Sequence, residues 1–127
     1  MATATSVSPI TTHVLDTARG RPAAGIKVRL EKLTGSPSAG AADEKWQDLA
    51  QGATNQDGRV ADLLQAGVKL ETGVYKLTFD TRAYYDSLET KTFYPYVSIT
   101  FEITEPAQHY HVPLLLSPFG YSTYRGS

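Results

Sequence analysis

HYHVPLLLSPFGYSTYRGS, the run from His109 to Ser127, decides how this chain folds. Two largely apolar segments flank Ser117 to Gly120, where Pro and Gly favour a turn. The pattern predicts a β-hairpin in which Leu116 pairs with Tyr121, and antiparallel geometry then sets the other pairs. One face of the hairpin carries mostly apolar side chains and is expected to pack on a core: Tyr110, Val112, Leu114, Leu116, Tyr121 and Thr123.

The opposite face of this hairpin collects titratable and hydroxyl groups. The period of two places His109, His111, Ser122 and Tyr124 on it, with Pro113 facing Tyr124. A solvent-exposed face is a sufficient explanation for a single histidine. Two histidines diagonal to a tyrosine hydroxyl favour a functional site.

Alternating apolar and polar residues predict further strands along the chain. In the first of them, over Ile10 to Leu15, His13 faces away from Val14. Asp80-Thr81 offers an N-cap to a short helix over Arg82 to Thr90. With about seven or eight short strands and one short helix, the sequence predicts an all-β sandwich. The other predicted strands lie around Ile26 to Leu30, Lys45 to Ala50, Val74 to Phe79 and Tyr96 to Ile103.

Length and composition limit the classes of function. The 127 residues suit one domain, which we place at residues 9–127 after a flexible N-terminus at residues 1–8. The small, Gly/Pro/Ser-rich stretch from Thr34 to Asp43 predicts a mobile loop. A net charge of −1 suggests neither a nucleic-acid nor a membrane partner. The chain has no Cys, and we read no signal peptide, so we expect a cytoplasmic protein.

Three stretches of the chain carry a resemblance to a known family. They are His109 to Ser127, Thr12 to Asp16 (THVLD) and Thr54 to Arg59 (TNQDGR), the last a strong turn signal because Asn, Asp and Gly tolerate positive φ. Together they resemble the transthyretin-like 5-hydroxyisourate hydrolases, enzymes of urate breakdown. The resemblance implies a transthyretin-like β-sandwich and a homotetramer with its sites at the dimer-dimer interface.

The resemblance also implies a reaction and a set of residues. The reaction opens the ring of 5-hydroxyisourate to 2-oxo-4-hydroxy-4-carboxy-5-ureidoimidazoline, in purine degradation. By matching position, His13, Arg59, His111 and Ser122 are expected to be catalytic. His13, Arg59 and Tyr124 are expected to bind the substrate.

The residue types suit this chemistry without a metal or another cofactor. A neutral imidazole accepts a proton from water and returns it to a leaving nitrogen, and the three histidines of the chain all lie in the matching stretches. The planar fork of Arg59 suits a flat heterocycle rich in carbonyl groups. His109 is the weaker candidate because it also reads as the entry residue of a strand. Which histidine is the base stays open.

Three other interpretations stay open from the sequence. The first is a non-catalytic, transthyretin-like carrier of a small ligand. In transthyretin itself other residue types occupy the positions of the two histidines and Arg59, so their presence here favours catalysis. The second is a zinc site formed by His13, His109 and His111. The third is a structural β-sandwich, which gives no reason to place polar residues of catalytic type in three separate stretches.

Overall fold

Two β-sheets and one short helix make up the described part of the chain, residues 8–35, 44–60 and 62–126 of a computed structural model. The described residues form nine strands, and the seven longer ones agree with the predicted number. In chain order the elements are β1 (Ile10–Asp16), β2 (Arg21–Pro22), β3 (Lys27–Leu33), β4 (Trp46–Ala53), β5 (Arg59–Val60), β6 (Gly73–Phe79), α1 (Thr81–Ser87), β7 (Val97–Ile103), β8 (Tyr110–Ser117) and β9 (Gly120–Thr123).

The first sheet brings the two ends of the chain together. Its order is β2-β1-β8-β9, with β5 also pairing with β1, and the second sheet has the order β4-β3-β6-β7. β1 and β8 pair in parallel over seven residue pairs, from Ile10 opposite Tyr110 to Asp16 opposite Leu116. Each residue of β1 therefore has a neighbour from β8 on the same face of the sheet.

The core lies between the two sheets, and every second residue of the central strands points into it. β1 buries two polar side chains, Thr12 and Asp16, and the Thr12 hydroxyl donates to the carbonyl oxygen of Val112 at 2.6 Å. Fully burying one large apolar side chain stabilises the fold by about 1.5–3 kcal/mol. The first sheet contributes Ile10, Val14, Val112, Leu114 and Leu116, and the second contributes Val28, Leu30, Tyr75, Leu77, Phe79, Ile99 and Ile103.

The helix begins where the sequence predicts and ends sooner. Asp80 caps its N-terminus by accepting a hydrogen bond from the amide of Ala83 at 3.3 Å. The predicted end at Thr90 is wrong, because the helix stops at Ser87 and Glu89 then adopts a positive φ of 52°. Tyr84 anchors the helix to the first sheet by donating to the buried carboxylate of Asp16 at 2.6 Å.

The C-terminal hairpin has the predicted register. Leu116 lies opposite Tyr121, Leu115 opposite Ser122 and Leu114 opposite Thr123. The expectation that Tyr121 and Thr123 pack in the core is wrong, because both are exposed on β9, the edge strand. At the edge of a β-sandwich the opposing sheet does not cover every inward-facing position.

The hairpin ladder is interrupted at Pro113, where Tyr124 was expected opposite. Proline has no amide hydrogen to donate to a partner strand. The pairing resumes in the same register two residues on, where Gly126 forms an isolated bridge with His111 and donates its amide to the His111 carbonyl at 2.8 Å. This bridge pins the C-terminal segment to the sheet as far as Gly126.

Two expectations fall wholly or partly outside the described residues. Most of the predicted loop, at residues 36–43, lies there, as do residues 1–7 of the predicted flexible terminus. Ser8 is described: it is buried, and its hydroxyl donates to the carbonyl of Ile10 at 2.7 Å. In the described ranges, no helix is long and apolar enough to cross a membrane.

Candidate active site

The outer face of the first sheet gathers side chains from both ends of the chain. Thr11 and His13 on β1 alternate with buried residues and are half-buried on this face. Parallel pairing sets Thr11 directly opposite His111 and His13 opposite Pro113. His13 and His111 are thus diagonal neighbours on adjacent strands, a relationship that separates residues by about 7–8 Å.

Arg59 reaches this face from the middle of the chain. It lies directly opposite His13 in the short antiparallel pair of β1 with β5. The turn before it is fixed by Asn55, whose side-chain oxygen accepts from the amides of Asp57 at 2.9 Å and Arg59 at 3.1 Å. Gly58 has a positive φ of 77°, and a side chain there would collide with the carbonyl oxygen of Val14. This turn therefore sets the position of Arg59 against β1.

The surroundings favour the neutral form of both histidines. Burial lowers the pKa of His13, and the positive charge of Arg59 lowers it further, while a hydrogen bond to the backbone of Asp57 acts in the opposite direction. Burial also lowers the pKa of His111, followed by the charges of Arg59, His13 and His109. Because Arg59 acts on both imidazoles, the two rings and the guanidinium form one electrostatic cluster.

Two residues that sequence reasoning missed hold the ring of His111. The hydroxyl of Thr11 lies 2.8 Å from Nδ1 of His111 and 3.0 Å from Nε2 of His109. Gly126 packs against the other edge of the His111 ring, where an added β-carbon would lie 2.5 Å from Cδ2. The period of two along β1 already placed Thr11 on the face of His13, but its partner from β8 was not visible in the sequence.

The remaining predicted residues lie around this cluster. Ser122 is on the same sheet but one row further along, opposite Leu115, whose neighbour in β1 is Leu15. Tyr124 follows β9 and is 58% exposed. Among the hydrogen bonds of the described residues, neither side chain contacts an imidazole.

The C-terminal segment lies beside the cluster. The guanidinium of Arg125 stands 4.4 Å from the ring centre of Tyr110 and donates to the side-chain oxygen of Gln108 at 2.8 Å. A cavity of about 260 Å³ adjoins His111 here, bordered by Tyr124, Arg125 and part of β7. A docked tail thus forms one wall next to His111.

The residues also bear on the zinc alternative. Within residues 8–35, 44–60 and 62–126, no group of three or more His, Asp or Glu side chains is arranged to hold a metal ion. His109 and His111 both direct a ring nitrogen towards the Thr11 hydroxyl. A hydroxyl group therefore occupies the place between them.

Comparisons with known proteins identify a single family. Residues 10–126 match the model of the HIUase/Transthyretin family. The chain is 48% identical to 5-hydroxyisourate hydrolase of Mus musculus over 124 residues, which cover 98% of this chain and 99% of that protein. The structure of Klebsiella pneumoniae 5-hydroxyisourate hydrolase is similar with a TM-score of 0.77 and 34% identity, covering 96% of this chain and 99% of that one.

A transthyretin structure is similar to the same extent. Sea bream transthyretin in complex with thyroxine gives a TM-score of 0.80 at 30% identity, covering 94% of this chain and 95% of that one. The backbone fold is thus common to hydrolases and to a thyroxine-binding protein. The fold alone therefore does not separate the two activities.

Proposed function

We propose that this chain, which belongs to the HIUase/Transthyretin family, is a hydrolase that opens the ring of 5-hydroxyisourate. The observation that carries the proposal is the cluster of His13, His111 and Arg59 on one face of the sheet. It joins two imidazoles to a fixed cation. Hydrolysis of a cyclic amide needs groups that transfer protons and a positive charge that stabilises the attacked oxygen.

The reaction proceeds by addition of water to a ring carbonyl. One imidazole takes a proton from the attacking water, the water oxygen bonds to the carbonyl carbon, and the carbonyl oxygen gains negative charge. The amide C–N bond then breaks, and a proton is delivered to the leaving nitrogen. The product is 2-oxo-4-hydroxy-4-carboxy-5-ureidoimidazoline. No metal takes part in any of these steps.

Arg59 has two roles in this scheme. Its guanidinium binds the flat, carbonyl-rich substrate and stabilises the negative charge that develops on the attacked oxygen. In the described part of the chain no carboxylate forms an ion pair with Arg59. Its charge is therefore available to an anionic or carbonyl-bearing ligand.

Two hydroxyl residues complete the proposed site. Tyr124 orients the substrate, and Ser122 takes part beside it as a further catalytic hydroxyl. Both are exposed at the C-terminal edge of the first sheet, on either side of Thr123.

A single chain leaves this face open, because the face of a sheet has no opposite wall. We propose that a homotetramer encloses the site at its dimer-dimer interface, where symmetry sets the same face of a second chain against it. The test is the native mass of the protein at assay concentration, with turnover measured during dilution. A tetramer whose specific activity falls as it dissociates is expected, whereas a fully active monomer contradicts this assembly.

The assay of the reaction follows the decay of freshly made 5-hydroxyisourate by absorbance. The protein is expected to accelerate the decay, and His13→Ala and His111→Ala are each expected to reduce kcat by about 10²–10⁴-fold. Both variants are expected to fold, because neither side chain lies in the core. Gln47→Ala, on β4 of the other sheet, is the matched control.

A carrier of a small ligand is the alternative function. A decay rate equal to the spontaneous rate at saturating protein, together with tight binding of an aromatic ligand, would support it. The identity of 48% to the mouse hydrolase over 98% of this chain favours the enzyme. We also propose a cytoplasmic location, since a chain without Cys suits a reducing compartment, and cell fractionation tests it.

A further inference from the structure

The hydroxyl of Thr11 connects two imidazoles. Its oxygen lies 2.8 Å from Nδ1 of His111 and 3.0 Å from Nε2 of His109. Strand pairing enforces this bridge, because Thr11 lies directly opposite His111 in the parallel pair of β1 and β8. The amide of Tyr110 donates to the carbonyl of Pro9 at 2.9 Å, which fixes the backbone between the two histidines as well.

The number of protons restricts what this bridge can do. A threonine hydroxyl has one hydrogen to donate and two lone pairs that accept. Thr11 therefore donates to only one of the two imidazoles. When it donates to Nδ1 of His111, that nitrogen holds a lone pair, and the single hydrogen of the neutral ring is on Nε2.

The neighbours of His111 make the neutral ring the relevant one. Arg59, His13 and His109 are the charged or titratable groups that act on it, and all of them oppose a further positive charge. A neutral imidazole carries one N–H, and the bond made by one ring nitrogen determines the state of the other. The bridge from Thr11 thus decides whether His111 offers a donor or an acceptor at Nε2.

The second imidazole of the cluster indicates which state the reaction uses. Burial and Arg59 lower the pKa of His13, and the backbone of Asp57 acts in the opposite direction, as an acceptor of a ring N–H does. The other ring nitrogen of His13 then presents a lone pair, as a general base requires. The remaining need is a donor for the carbonyl oxygen or the leaving nitrogen.

We propose that Thr11 is a positioning residue that holds His111 as the Nε2–H tautomer, through a chain in which His109 donates to Thr11 and Thr11 donates to His111. His111 then acts as a neutral hydrogen-bond donor to the substrate, while His13 is the base. His109 is exposed, at the outer end of the chain. This assignment of roles and the direction of the chain rest on the proposed hydrolase function, whereas the bridge itself does not.

The geometry leaves Nε2 of His111 available for this role. Thr11 holds the ring at Nδ1, and Gly126 packs against the Cδ2 edge. Within the described ranges no hydrogen-bond partner occupies Nε2. A neutral imidazole N–H that polarises a carbonyl is an established catalytic arrangement, in which a lowered pKa prevents the ring from becoming an imidazolium.

The test measures the ring nitrogens directly. In the full chain labelled with 15N-histidine, at a pH where the rings are neutral, the 15N shifts of His111 are expected to show hydrogen on Nε2 and a lone pair on Nδ1. Thr11→Val keeps the β-branched shape but removes the hydroxyl, so the His111 ring is expected to populate both tautomers. Thr11→Ser restores the hydroxyl and is expected to restore the single tautomer.

Activity provides the second measurement. Thr11→Val is expected to reduce kcat by about tenfold or more with a smaller change in KM, because only part of the general acid-base contribution is lost. Thr11→Ser is expected to recover most of the rate. Thr78→Val is the matched control, since Thr78 shares its exposed hydroxyl bond with Ser98 on the other sheet.

Several results would overturn the proposal. Hydrogen on Nδ1 of His111 in the unmodified chain would do so, as would a Thr11→Val variant with an unchanged tautomer and an unchanged kcat. If the unmodified protein does not hydrolyse 5-hydroxyisourate, the proposed function fails. The 15N measurement still decides the role of Thr11 in that case.

Discussion

Gly126 lies opposite His111 across the edge of the first sheet, so close that a β-carbon on Gly126 would stand 2.5 Å from Cδ2 of the imidazole. The backbone of Gly126 is outside the left-handed region. Steric contact with His111, and not backbone strain, is therefore the reason a glycine is needed here.

Gly126→Ala is expected to displace the His111 ring and lower kcat by about tenfold to a hundredfold, since a misplacement of about 1 Å is enough for such a loss. Thermal unfolding is expected to change little, because the contact is at the end of the chain. Gly120→Ala is the control, as a β-carbon there meets only the hydroxyl oxygen of Ser117 at 3.7 Å. Equal kcat values for the two variants would contradict this role of Gly126.

The pH dependence of kcat/KM follows from the lowered pKa values of His13 and His111. Both rings have to be neutral, so activity is expected to rise through an apparent pKa below the ordinary histidine value of 6.5 and then to level off. The free energy of unfolding changes with pH in the same direction. As the pH falls below 6.5, these two histidines bind more protons in the unfolded chain than in the folded one, so acid destabilises the fold. An apparent pKa above 6.5 would be incompatible with these surroundings.

The positive charge of Arg59 can be removed by substitution to test its effect on the two histidines. Arg59→Gln is expected to raise the apparent pKa towards 6.5 without reaching it, because burial, the larger cause, remains. The same variant is expected to lower kcat/KM. Arg59→Lys keeps the charge and is expected to preserve the pH profile while weakening substrate binding, because an ammonium lacks the planar fork. Identical pH profiles for the Gln and Lys variants would show that the charge does not reach the imidazoles.

Tyr84 and Tyr85 form a matched pair for stability. Tyr84→Phe removes the donor to the buried carboxylate of Asp16 and is expected to lower the free energy of unfolding by about 1–3 kcal/mol. The hydroxyl of Tyr85 is buried with no partner among the described residues, so Tyr85→Phe is expected to be neutral or stabilising. Denaturant titration measures both, and turnover is expected to stay unchanged. A larger loss from Tyr85→Phe than from Tyr84→Phe would reverse the assignment.

Chelation separates the metal-free mechanism from the zinc alternative. Prolonged treatment with EDTA, followed by removal of the chelator, is expected to leave kcat unchanged. The Thr11 hydroxyl between His109 and His111 is the structural reason. Activity that is lost on chelation and recovered with zinc would contradict the proposed mechanism.

The sequence by itself determined the local features of this protein. Alternation in the strands set which residues face the core, and His13 faces away from the buried Val14 as predicted. The turn before Arg59 followed from Asn, Asp and Gly, and the hairpin register followed from its turn residues. All of these depend on residues close together in the chain, where the backbone allows few conformations.

Only the tertiary structure decided how the distant parts meet. The parallel pairing of β1 with β8 joins residues about one hundred positions apart, and no local pattern specifies its register. That register sets Thr11, rather than His13, opposite His111. The packing of Gly126 on the ring and the exposure of Tyr121 at the sheet edge depend in the same way on which strands become neighbours. Side-chain chemistry was readable from the sequence, whereas the contacts that orient it arise from strand pairing across the whole chain.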